Sequence, residues 1–123
     1  MSIVRAATAP RFELPGVRFT GLAAPSRGSA QLCTWRVTVE PRLAGDPHRL
    51  DRDEVFMLLS GRVRITPGGE PLDAGDAVIV PAGEPIQLEN LADEPAELYV
   101  AIRADFTATM ADGTPFGTPP WAL

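Results

Sequence analysis

His48 is the only histidine of the chain, and Glu54 follows six positions later. These two side chain types exchange protons near neutral pH. Imidazole does so at its ordinary pKa, and a carboxyl group does so once burial has raised its own. If the fold brings the pair together, the carboxylate favours the charged imidazole while burial opposes it. The resulting titration falls in the range where general acid–base catalysis works best. A structural reading stands beside the catalytic one: a buried Glu54 without a partner is costly, and His48 then serves to satisfy it. Cys33 is the only cysteine, which rules out an intramolecular disulfide and a zinc–thiolate cluster.

Length and composition narrow the partners. A chain of 123 residues with 45% hydrophobic content builds one core and not two, so a single domain over 1–123 is expected. The net charge of -5 leaves no basic surface to displace counterions from phosphates, which argues against nucleic acid. No apolar run approaches the length of a membrane-spanning helix, and the first ten residues lack the apolar stretch of a signal peptide. A cytoplasmic location is the expectation.

Apolar periodicity then places these residues on strands. Residues 31–40 alternate, with Cys33, Trp35, Val37 and Val39 on one face and Thr34, Arg36, Thr38 and Glu40 on the other. Residues 54–60 form an apolar run that puts Glu54, Phe56 and Leu58 on one side and Val55, Met57 and Leu59 on the other. The break at Ser60-Gly61 followed by Arg-Val-Arg-Ile predicts a hairpin. Further strands are predicted at 17–22, 77–80, 86–89 and 96–103, separated by proline and glycine turns. Many short strands and no helical stretch predict an all-β antiparallel sandwich or barrel. The end, Asp112 to Leu123, is too rich in proline for a helix or a central strand. Because Phe116 and Trp121 are costly to leave in water, residues 104–123 are expected to pack onto the barrel as a C-terminal tail.

Two spaced motifs carry a family resemblance. Gly75, Pro81, Gly83 and Asn90 stand where the second cupin motif has its glycine, proline, glycine and asparagine. His48, Glu54 and Gly61 match the histidine, glutamate and closing glycine of the first. The chain therefore resembles the small single-domain cupins of the RmlC-like group, which implies an all-β, double-stranded β-helix (jelly-roll) barrel, often dimeric, with a small-molecule pocket inside. The departures are as telling as the matches. Arg42 stands at the first motif's glycine, Leu50 at its second histidine, and Ile86 at the histidine of the second motif.

In metal-binding cupins three histidines and one glutamate hold a divalent ion. Here only His48 and Glu54 remain of that set, so neither a metal nor any other cofactor is expected. Asp51 and Asp53 are near in sequence, but their spacing points them away from the motif's ligand direction. The resemblance puts His48 and Glu54 at one pocket as candidate catalytic residues, free to hydrogen-bond each other without the ion. Phe56, Leu58, Leu50 and Ile86 should line an apolar cavity, with Trp35 and Tyr99 as further candidates whose facing the sequence leaves open. Core packing accounts for each of these side chains singly. Three functions stay open: a metal-independent isomerase, cyclase or dehydratase acting on an apolar carbonyl compound; a non-catalytic binding or sensing module; and a metal-dependent dioxygenase or isomerase. A homodimer is expected, because the Val55, Met57 and Leu59 face is as apolar as the inner one.

Overall fold

The computed structural model of the chain describes residues 1–123. Its strands are β1 (Arg11–Leu14), β2 (Val17–Gly21), β3 (Leu32–Val39), β4 (His48–Leu50), β5 (Glu54–Ser60) and β6 (Val63–Arg64). They continue with β7 (Ala77–Val80), β8 (Glu89–Asn90), β9 (Ala96–Arg103), β10 (Ala108–Met110) and β11 (Pro115–Gly117). Six of them make one antiparallel sheet in the order β1-β2-β3-β9-β5-β7. The facing layer is in pieces, β11-β10-β4 and β6-β8. Single bridges between His48 and Ile86 and between Ala44 and Glu89 sew those pieces together. The two layers close on one core as a jelly-roll β-barrel.

Period-two patterning is what builds that core. In β3 Cys33, Trp35, Val37 and Val39 are buried, while Thr34, Arg36 and Thr38 look outward. Strand β9 repeats the pattern with Ala96, Leu98, Val100 and Ile102 inside. Each large side chain removed from water in this way contributes about 1.5–3 kcal/mol. Register aligns the two strands with β5, so that Phe56 lies beside Val100 and Val100 beside Trp35. The same alternation that buries Phe56 and Leu58 forces Glu54 inward as well.

The structure corrects several local expectations. The chain leaves β5 at Gly61 and crosses to the other layer, where β6 pairs with β8, so no hairpin forms at 60–61. Gly61 has a positive φ of 90°, and a Cβ there would meet the Ala96 backbone at 2.9 Å. The turn therefore needs glycine for conformation and for space. Of the strand predicted over 86–89, only Glu89 belongs to a ladder, while Ile86 makes a single bridge. A strand missed in sequence, β1, pairs with β2 despite the prolines on either side of it.

The last residues are ordered against the large sheet. Trp121 is buried and stacks on Phe19, with ring centroids 3.8 Å apart and planes 6° apart. Arg27 holds this end in place, its Nη2 donating to Trp121 O at 2.9 Å and its Nε to Leu22 O at 2.6 Å. Cys33 Sγ donates to Ala122 O at 3.4 Å, and Ser26 Oγ donates to Leu123 O. Gly21 leaves room for this latch, since a Cβ on it would meet Arg27 Nη2 at 2.6 Å. Desolvation pushes the Cys33 thiol above its ordinary pKa, more than the nearby Arg27 charge lowers it.

Candidate functional site

A cavity of about 400 Å³ lies between the layers. Of its 23 lining residues 17 are hydrophobic, and only Asp46, His48 and Glu54 carry ionisable side chains. Glu54 begins β5, lines this cavity and is 3% exposed. Desolvation pushes its carboxyl from 4.5 up to about 8, with no hydrogen bond or neighbouring charge opposing the shift. At neutral pH it is therefore a carboxylic acid, able to donate.

His48 is only partly buried and opens β4, which is fixed from both sides. Its backbone N–H donates to Ile86 O at 3.0 Å and its carbonyl accepts from Ile86 N at 2.8 Å, while β10 pairs Met110 with it. Its Nδ1 lies 3.0 Å from the carbonyl oxygen of Asp46. A carbonyl can only accept, so Nδ1 carries the hydrogen and Nε2 of the neutral ring keeps a lone pair. His48 and Glu54 line the same cavity without a hydrogen bond between them. A carboxyl group and an imidazole thus stand separately in one apolar space.

The other expected residues divide. Trp35, Leu50, Phe56 and Ile86 line the cavity. Leu58 does not: it is buried beside Leu98 in the closed part of the core. Tyr99 is on the outer face of the large sheet, where its ring sits 5.8 Å from the Arg36 guanidinium carbon, so strand alternation keeps it from the cavity. Asp51 accepts from the Thr107 N–H at 2.8 Å and hydroxyl at 3.1 Å, and Asp53 accepts from Ala82 N at 2.9 Å. Both aspartates hold loops together. Sequence reasoning missed Phe19, Phe106 and Asp46 as cavity residues. Phe106 packs on Trp35 with centroids 5.9 Å apart. Its one signal was an apolar residue recurring just beyond β9.

Transition-metal sites take roughly three or four protein ligands. No three histidine, cysteine, aspartate or glutamate side chains converge anywhere in the structure. Leu50 and Ile86 put hydrocarbon into the cavity beside His48 and Glu54. The donor set does not fit a metal ion.

Residues 35–102 match the cupin domain family. The chain belongs to that family. This cupin explains two of its motif positions through its backbone. Arg42, at the motif glycine, has a φ of 58°, in the region glycine enters most easily. Its guanidinium Nε donates to Asp93 at 2.7 Å. Asn90 is 1% exposed and makes a complete set of bonds, described below.

Among solved structures, the polyketide cyclase RemF from Streptomyces resistomycificus superposes with a TM-score of 0.74 at 17% identity, covering 84% of this chain and 79% of that one. KdgF from Halomonas sp. gives a TM-score of 0.68 at 18% identity, with 84% and 94% covered. An RmlC-like cupin from Shewanella frigidimarina gives 0.68 at 14% identity, with 82% and 88% covered. Likeness at these identities speaks for the fold alone. Among curated proteins none matches this cupin by sequence. No helix is long and apolar enough to cross a membrane.

Proposed function

We propose that this cupin is a metal-independent enzyme performing acid–base chemistry, an isomerisation, cyclisation or dehydration, on an apolar carbonyl compound. One observation carries the reading. Glu54 is a protonated, unpartnered acid in an apolar cavity that also presents His48. The Glu54 acid donates to the carbonyl oxygen while His48 Nε2 takes a proton from the adjacent carbon. The C–H electron pair becomes the carbon–carbon double bond of an enol, and the carbonyl pair moves onto the oxygen that Glu54 protonates. Glu54 then takes back the enol proton as the carbonyl re-forms. His48 gives its proton to another carbon, to the oxygen of a second carbonyl under attack or to a departing hydroxyl that leaves as water, which restores both residues. RemF is a polyketide cyclase on this fold, which supports the reaction class by analogy only.

The test is solvent exchange. In D₂O, wild-type protein should speed deuterium entry beside the carbonyl of ketones such as 1-tetralone, followed by NMR. Glu54→Gln and His48→Ala should each lower that rate by about 10² to 10⁴. Ketones that bind without exchange would favour the non-catalytic binding module instead. That alternative draws support from the missing hydrogen bond between His48 and Glu54. Elemental analysis should find well below one equivalent of transition metal per chain, and a stoichiometric, chelator-resistant ion would restore the metal-dependent reading.

We further infer a homodimer through the outer face of β5 and β7, where Leu59 is 42% and Ile79 67% exposed beside half-buried Val55 and Met57. Isolated sheet faces this apolar are seldom left in water. Light scattering at micromolar concentration should report twice the 13.1 kDa of one chain, and the monomer mass would refute it.

A further inference from the structure

The chain has eight aromatic residues, two Trp, one Tyr and five Phe. Six of them, Phe19, Trp35, Phe56, Phe106, Phe116 and Trp121, line the one cavity. They are organised. Phe19 stacks on Trp121 at 3.8 Å, Trp35 packs on Phe106 at 26° between planes, and the two tryptophans meet edge to face at 63°. The result is an aromatic corner at the cavity wall. A core built only for stability would fill the space in front of these rings, because an unfilled apolar void costs stability in proportion to its volume. Here the side chains leave about 400 Å³ between them, near the lower end of the size range of ligand pockets.

What the lining lacks is equally informative. Not one of the eleven arginines reaches the cavity, and no serine, threonine, asparagine, glutamine or tyrosine does. A carboxylate or phosphate on the ligand would find neither arginine nor lysine, and would lie in the same cavity as the Asp46 carboxylate. A sugar would lose its hydration without replacement hydrogen bonds. Besides Asp46 and the unpartnered indole N–H of Trp121, the polar side chains present are Glu54 and His48, which suit one oxygen and the carbon beside it.

We propose that the ligand of this cavity is a neutral, flat aromatic compound of roughly two or three fused rings carrying a ketone or phenol oxygen, stacked in the Phe19–Trp121–Trp35 corner with its oxygen at Glu54. It deepens the acid–base reading and rests on the same site. Aromatic stacking adds about 0.5–1.5 kcal/mol per pair beyond buried area, so several such contacts give a preference that affinity measurements resolve. Phe116 is 47% exposed at the cavity's edge, where it can cover the outer end of the ligand.

The probes are 9-fluorenone, its 4-carboxylate, and cyclododecanone, a saturated ketone of comparable size. Dissociation constants are measured by calorimetry and by quenching of tryptophan fluorescence. Fluorenone should bind with one-to-one saturation, about tenfold or more tighter than either of the others. Phe116→Leu, at an exposed position that should not disturb folding, and Phe19→Leu should weaken fluorenone by about three- to tenfold. Both should change cyclododecanone binding by less than about twofold. Absence of saturable fluorenone binding overturns the proposal, as does equal or tighter binding of the carboxylate or the saturated ketone. Fluorenone has no hydrogen on the carbons next to its carbonyl, so it reports binding alone. Proton exchange on saturated ketones without aromatic preference would sink this inference and leave the catalytic reading standing. Selective fluorenone binding without exchange on any ketone would do the reverse.

Discussion

Glu54 and Asn90 are the two polar side chains that this cupin buries, at 3% and 1% exposure, and their surroundings are opposite. Asn90 donates to the carbonyls of Val39, Glu40 and Glu94 at 3.3, 3.2 and 2.8 Å and accepts from Ala92 N at 3.0 Å. It ties the end of β3 to the turn before β9, and every polar atom of its amide is used. Glu54, on the same barrel, faces an apolar cavity with desolvation as the sole influence on its pKa. Buried polar groups in folded proteins are nearly always satisfied from within. Where one is satisfied it belongs to the fold, and where one is left waiting it points to a ligand.

The largest effect should come from breaking the waiting side. On a substrate found by the exchange assay, Glu54→Gln and His48→Ala should each lower the rate by about 10² to 10⁴. The double variant should lose little more than the worse single one, because groups that act on one proton transfer are non-additive. Additive losses would mean that the two residues serve separate steps.

Next in size is a pH effect. In the folded state Glu54 holds its proton up to about 8, against 4.5 when unfolded. Between those values the folded protein binds more protons than the unfolded one, so stability falls as pH rises and levels off above about 8. The full change is on the order of 5 kcal/mol. Urea unfolding of Glu54→Gln should lack this decline, so that the variant gains on wild type from pH 5 to pH 8.5. Parallel profiles for the two proteins would show that Glu54 is solvated and would remove its contrast with Asn90.

The satisfied side gives the third prediction. Asn90→Leu keeps the branched shape but removes the bonds to three carbonyls and one N–H, and should lower stability by about 3 kcal/mol at every pH. Its urea midpoint should drop without the pH signature of Glu54→Gln. A variant as stable as wild type would erase the distinction between the two sites.

The fold was legible because both cues to it are local. Alternation in 31–40 and 96–103 and the turn glycines each depend on neighbours in the chain, and β3, β7 and β9 follow them closely. The pairing of β6 was not legible, since Gly61 signals a turn without saying which layer the chain enters next. At the site, period two brought Phe56 to the cavity wall, but it left the facing of Trp35 open and could not separate Leu58 from Phe56. Both side chains face inward, and only the opposite layer decides which one borders empty space. Phe19, Phe106 and Trp121 arrive from strands and a tail distant in sequence, and no spacing rule links them. The aromatic corner exists only in three dimensions.

Cys33 lies beneath the C-terminal turn, its thiol fully buried and donating to Ala122. It is the only sulfhydryl of the chain, so a thiol reagent has one target and must wait for the turn to lift. The labelling rate then becomes a clock for how often that end of the chain leaves the barrel. Because Trp121, one residue away, lines the cavity, the same clock counts the moments when its aromatic wall comes apart. A ligand resting against Trp121 should slow the clock, and a cavity full of water should not.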